Sequence, residues 1–210
     1  MKKLMTVLLV LLVSHTFAQG NGDALQQAVT RLDQAKTVKD YEALEKTFTG
    51  IAGGNNNWLP YYYAALCNAR IGFLLQDDGE RIEPYSNRGE EQAKKAISLL
   101  DTAKQRQEAA EVYTVMSMVY RTKVFINPMT YGRRFGPLSD QYLKLARRFS
   151  PDNPRALYLA AWTKYYTPKL WGGDKDEAKR LARESLAKLG NSSGVAPHWG
   201  KAEDEALLAK

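Results

Sequence analysis

Residues 113–151 read YTVMSMVYRTKVFINPMTYGRRFGPLSDQYLKLARRFSP, and the pattern they carry starts again at residue 157. Tyr113, Met116, Ser117 and Tyr120 recur at the spacing of one helix face. Ser139, Leu143 and Ala146 mark a face on a second helix, which Pro151 closes. Leu157, Ala160 and Ala161, then Ala178, Ala182 and Ser185, repeat the two-helix phrase. Small residues where two helices cross let their backbones approach, and the larger neighbours beside them fill the next pair's grooves. The stretch therefore predicts an all-α fold of antiparallel helix pairs stacked on one another.

Working outward, the chain reads as about nine helices with no strand pattern. Residues 23–36 and 40–52 form a first pair, followed by a break at Gly53-Gly54-Asn55-Asn56-Asn57. A third helix runs from about Trp58 to Leu75, with Pro60 tolerated in its first turn. A fourth carries Ala93, Ala96, Ile97, Leu100 and Ala103, and a fifth spans 107–124. The run from Asn127 to Pro137 reads as irregular, so the sixth helix is expected from about Ser139. Asn153-Pro154 opens the seventh with a cap and a first-turn proline. Asp174 followed by Glu177 reads as a capping box for the eighth, and Pro197-His198-Trp199-Gly200 precedes a last helix with Leu207 and Leu208 inward.

These paired helices resemble the tetratricopeptide repeat over residues 58–189, through Tyr113, Met116, Ser117, Tyr120, Ser139, Leu143, Ala146 and Pro151 and their copy from Leu157 to Ser185. A weaker copy begins at Tyr61, Ala64 and Ala65 and continues into Ala93 and Ile97. The phrases Tyr165-Tyr166-Thr167-Pro168 and Ala196-Pro197-His198-Trp199-Gly200-Lys201 are also similar to a set of exported bacterial repeat proteins. The spacing departs from the family: 52 positions separate Tyr61 from Tyr113 and 44 separate Tyr113 from Leu157, against a period of about 34. Enlarged loops are therefore expected near 76–89 and 124–138, giving a short superhelical array. The resemblance implies that the first helix of each pair lines a concave groove for a peptide. Carried over by phase, Tyr62, Leu66, Arg70, Glu111, Thr114, Met118, Arg121, Arg155, Tyr158, Trp162 and Tyr165 are the groove-facing candidates. The Lys/Asn/Arg set with which some family members clamp a chain-terminal carboxylate is not reproduced.

The first residues have a different character. Met1-Lys2-Lys3, an apolar run from Leu4 to Val13 and small residues at Thr16 and Ala18 fit a secretory signal over 1–18. The run is shorter than the roughly 20 apolar residues a membrane span needs. The expected mature chain, 19–210, is a single domain, soluble and periplasmic or secreted, without stable membrane insertion. Cys67 is the one cysteine, so no internal disulfide can form.

Little in the sequence supports catalysis. His15 and His198 are the two histidines, and the first falls within the signal, which excludes a His-based acid–base pair or a multi-His metal site. Cys67 sits in an apolar helix and reads as a buried thiol. Asp77-Asp78-Gly79-Glu80 lacks the alternating ligands of a calcium loop. No cofactor or metal is expected. The charge pattern is more telling. Between Arg121 and Lys169 ten basic residues face only Asp140 and Asp152, with Phe125, Tyr131, Phe135, Tyr142, Tyr158, Trp162, Tyr165 and Tyr166 interleaved. Export argues against nucleic acid as the partner of such a surface. The reading is an exported, non-enzymatic scaffold that takes a protein or peptide, acidic in character, in a basic and aromatic groove. Arg121, Arg155, Tyr158 and Trp162 lead, Tyr62, Arg70, Met118 and Tyr165 support them, and Arg133 and Arg134 form a rim on the long loop. Binding of an anionic envelope polymer or lipid is the alternative, with a cell-wall hydrolase behind it.

Overall fold

The computed structural model describes residues 22–53, 56–190 and 194–210, and the expected signal over 1–18 lies outside them. All the regular structure among the described residues is helical: α1 (22–32), α2 (Val38–Ala52), α3 (Trp58–Leu74), α4 (Glu83–Ser98), α5 (Arg106–Ile126), α6 (Tyr131–Phe149), α7 (Pro154–Tyr166), α8 (Lys175–Lys188) and α9 (Lys201–Leu208). Side-chain caps set several starts. Thr37 and Asp40 satisfy each other's backbone at α2 in a reciprocal box, Asn57 accepts from the Leu59 amide, and Asn153 accepts from the Ala156 amide. Asp174 caps α8 by accepting from the Asp176 and Glu177 amides. The Glu177 side chain does not complete the expected box; it receives two bonds from Arg180 instead.

From α2 onward each helix packs on its chain neighbour, and alternate helices also touch: α3 on α5 and α5 on α7. That is the contact pattern of stacked antiparallel pairs. The crossing positions are alanines with no exposure, including Ala65, Ala93, Ala146, Ala161, Ala178 and Ala182. Ser117 and Ser139, predicted at the α5–α6 crossing, donate reciprocally to each other's carbonyls at 2.8 and 2.9 Å. Glycine brings two more pairs together. A Cβ on Gly72 of α3 would lie 2.5 Å from the Thr122 Cβ of α5, so these two backbones meet where no side chain fits.

Two boundaries differ from the sequence reading. The stretch expected as a loop up to Leu138 is helical from Tyr131, with Pro137 inside α6. Tyr131, Phe135 and Leu138 fall on one face, and Phe135 is buried against Tyr120 with ring centroids 6.1 Å apart. That burial outweighs the poor helix propensity of Gly132, Gly136 and Pro137. The 76–89 connection is likewise shortened by the 3-10 turn Gly79–Arg81 and by α4 starting at Glu83.

Candidate functional site

Because α3, α5 and α7 are the same member of successive antiparallel pairs, they run in one direction and share one hollow face. Along α5 the stripe on that face is Glu111, Met118 and Phe125, seven residues apart. The structure divides the hollow into two parts with different contents.

At the end nearer the helix starts, the polar groups converge on one buried carboxylate. Glu111 lies at the bottom, 6% exposed, and accepts from Arg155 Nε at 2.7 Å and Nη2 at 2.5 Å. It also accepts from Asn153 Nδ2 and from the Tyr62 hydroxyl at 3.3 Å. Burial, with the Glu111 charge beside it, pushes the Tyr62 phenol far above its ordinary range. Over this network lies the chain's own C-terminal segment. Trp199 Nε1 donates to the Tyr62 hydroxyl at 2.8 Å, its ring meets Tyr158 edge-on at 6.2 Å, and the Arg70 guanidinium stacks on it at 4.8 Å. Arg70 also pairs with Glu203. The Tyr63 hydroxyl donates to the Val195 carbonyl at 2.8 Å, and His198 Nε2 meets Asp33 at 2.9 Å. Leu207 of α9 is buried in the core. A chamber of about 340 Å³ remains between this segment and α1–α3, lined in part by Tyr41, Tyr63, Leu66 and Arg70.

At the other end, where α3, α5 and α7 finish, the hollow is aromatic and open. Phe73, Phe125 and Trp162 form a three-ring cluster with centroids 5.1–6.2 Å apart, and Tyr166 lies 4.7 Å from Trp162. Arg70, Met118, Tyr158 and Gln76 complete a chamber of about 200 Å³. Tyr166, in its lining, is 45% exposed. Arg70 lines both chambers, and the Trp199 ring it stacks on lines the first.

The predicted residues therefore separate. Arg70, Met118, Tyr158 and Trp162 are brought together as expected. Tyr62 and Arg155 reach the hollow but are buried and held by Glu111, so neither is a free recognition group. Tyr165 turns aside, meeting Tyr166 edge-on at 5.1 Å with Lys175 over its ring at 5.0 Å. Arg121 does not face the hollow. It lies three positions past Met118, about 60° off the stripe at roughly 100° per residue, and pairs with Asp140 of α6 at 2.9 Å. Arg133 and Arg134 are on the first turn of α6 rather than a loop. Arg134 stacks over Phe135 at 4.9 Å, on the side facing α4. Phe73, Tyr166 and Trp199 were not among the expected site residues. Phe73 continues the Tyr62, Leu66, Arg70 spacing and Tyr166 follows Trp162 by one turn, so periodicity held a signal for both. Nothing local marked Trp199.

The buried Cys67 thiol is pushed far up by desolvation, as expected of an inert core cysteine. No group of three or more potential metal ligands occurs among the described residues, and no helix there is long and apolar enough to cross a membrane.

The fold and site define a stacked helix-pair scaffold whose hollow is closed at one end by its own C-terminal segment and lined with aromatic rings at the other. Among solved structures, the HusA haemophore from Porphyromonas gingivalis is similar to this chain. The two share 28% sequence identity with a TM-score of 0.76, over 89% of this chain and 90% of that one. That similarity is to a binding protein rather than an enzyme. No family model and no curated protein matches the chain.

Proposed function

We propose that this chain is an exported binding protein, a divergent array of the tetratricopeptide type, that carries haem or a closely related tetrapyrrole at the open end of its hollow. The observation that carries the reading is Trp162 packed between Phe73 and Tyr166, with the Arg70 guanidinium at the inner end of the same chamber. Haem presents two flat apolar faces and two carboxylates. Aromatic rings suit the first, and an arginine in partly desolvated surroundings suits the second. The likeness to a haemophore supports the same ligand class, and the N-terminal sequence supports export.

Binding in this reading rests on ring stacking and carboxylate pairing rather than on iron ligation. His198 is clasped by Asp33, and burial pushes the Tyr158 phenol well up, which disfavours the phenolate an iron centre would need. Metal-free protoporphyrin should therefore bind within about tenfold of haemin. Absorbance titration with both ligands, read beside quenching of tryptophan emission, tests this. Absence of saturable binding by either would remove the proposal.

An acidic peptide is the second reading, favoured by Arg70 and by the paired-helix hollow. It has a short path, because Arg155 and Tyr62 are held by Glu111 and the Trp199 segment crosses the groove. Competition between peptide and protoporphyrin separates the two readings.

A further inference from the structure

On the far side of α7 from the hollow, α5, α6, α7 and α8 surround a cleft of about 510 Å³. Its cations are Arg121, Lys144, Arg147 and Lys164, and its carboxylates are Asp140 and Glu177. Both acids already have partners: Asp140 pairs with Arg121 at 2.9 Å, and Glu177 accepts from Arg180 at 2.7 and 2.8 Å. Lys144, Arg147 and Lys164 enter no ion pair among the described residues. The floor is apolar, made by Leu143, Ala160 and Leu181. Two polar atoms of the lining are buried without a hydrogen-bond partner, Arg121 Nε and Thr163 Oγ1. Both can donate, and an unpaired buried donor costs about 1–3 kcal/mol, so an acceptor entering the cleft would be stabilised by both.

Beside the cleft, the turn Lys169–Trp171 displays the most exposed pair of large apolar side chains among the described residues, Leu170 at 88% and Trp171 at 75%. The display is fastened. Lys164 Nζ donates to the Gly172 carbonyl at 2.9 Å, and the Gly173 and Asp174 amides donate to the Pro168 and Lys164 carbonyls. Gly172 has φ +88°, and a Cβ on Gly173 would lie 1.8 Å from the Thr167 carbonyl oxygen, so this turn requires both glycines. Held apolar tips next to unpaired cations over an acceptor-seeking cleft match the interface of an anionic membrane, where tryptophan settles at headgroup depth and basic groups meet phosphate.

We propose that this face docks on an anionic lipid surface, with a headgroup phosphate taken into the cleft and Leu170 and Trp171 seated in the interface. The claim is independent of the ligand assigned to the hollow, and the variants that test it touch no hollow residue.

The test is co-sedimentation of the purified protein with phosphatidylcholine vesicles, with and without phosphatidylglycerol, and with lipids brominated along the acyl chain as a depth probe. Adsorption is expected only where phosphatidylglycerol is present. Lys144→Gln with Arg147→Gln should weaken it on the order of 30-fold, at about 1 kcal/mol per cation, while melting and protoporphyrin binding stay unchanged. Bromine quenching should be lost in Trp171→Phe. Thr163→Val leaves the charge unaltered, so a several-fold loss there marks a phosphate oxygen seated in the cleft. Equal adsorption to neutral vesicles overturns the proposal, as does an unaltered affinity in Thr163→Val. Saturable binding of inorganic phosphate that is lost in Thr163→Val, without vesicle adsorption, would make the cleft a site for free anions and equally overturn it.

Discussion

The two ends of the hollow are built from the same residue types and have opposite fates. At the closed end, Arg155 and Tyr62 converge on Glu111 and are roofed by Trp199. At the open end, Trp162 and Phe73 pack on other rings with no acid beside them, and Tyr166, although Lys210 Nζ lies over its ring at 4.7 Å, remains 45% exposed. An arginine or a tyrosine on a concave face is thus not itself evidence of recognition. The deciding feature is whether the fold supplies the opposite charge or the covering ring. Arg70 stands at the boundary, engaged by Glu203 and Trp199 on one side and lining the aromatic chamber on the other.

The sharpest way to break this contrast is to remove the acid at the closed end. Glu111→Ala leaves Arg155 buried and uncompensated, a change that costs about 3–5 kcal/mol; urea denaturation should register it as a large drop in midpoint. An unchanged midpoint would mean that Arg155 is free to serve a ligand. At the open end the same class of experiment should touch binding instead. Tyr166→Ala is expected to weaken protoporphyrin binding about tenfold, within the range of a lost aromatic contact, with the denaturation midpoint nearly unmoved.

The roof adds a pH dependence. Asp204 of α9 is fully buried, and desolvation raises its carboxyl to about 7. Its Oδ2 contacts Ser185 Oγ, whose single hydrogen also has the Pro154 carbonyl as a partner at 2.8 Å, so a protonated Asp204 can bring its own donor. A native pKa above the unfolded value means the folded chain binds the extra proton. Stability conferred by this group is therefore full below about pH 4, declines as pH rises, and levels off above about 7. The slope approaches at most about 1.4 kcal/mol per pH unit for one proton. Stability measured across pH 4–8 should show it, and Asp204→Asn should flatten it. Glu90 acts in the opposite sense: although burial works against it, bonds from Lys94, Lys123 and Tyr120 hold it down at about 2, so its contribution is present above about pH 4.5 and is lost toward pH 2. The smallest effect belongs to the His198–Asp33 clasp, which is partly exposed. His198→Ala should cost under about 1 kcal/mol and loosen the Val195–Trp199 segment of the roof, seen as faster amide exchange there.

Much of the architecture was legible because the interior is repetitive. The Ser117–Ser139 crossing and the alanines at 160, 161, 178 and 182 lie where the periodicity put them, since an alternation of small and large residues has one stable packing. The start of α6 was not legible: Gly132, Gly136 and Pro137 argue locally for a loop, and only the burial of Phe135 against Tyr120 from another helix reverses that. The site was half legible for a related reason. Helical phase put Glu111 and Arg155 on the same face, but did not tell that the two close on each other, nor that Trp199, far along the chain, comes back to stack on Arg70. Arg121 shows how small the margin is, because a rotation of about one sixth of a turn moved it from the hollow to the cleft behind.

Gly72 lines neither chamber, yet it sets how closely α3 and α5, two walls of the aromatic one, approach. Where α3 leans on α5, a hydrogen instead of a methyl lets Thr122 close in, and Phe73 and Met118 inherit their separation from that contact. Any heavier atom there would act as a shim, prising α3 from α5 and widening the aromatic mouth from behind. The calibre of this vessel is thus written at a hinge its contents never touch.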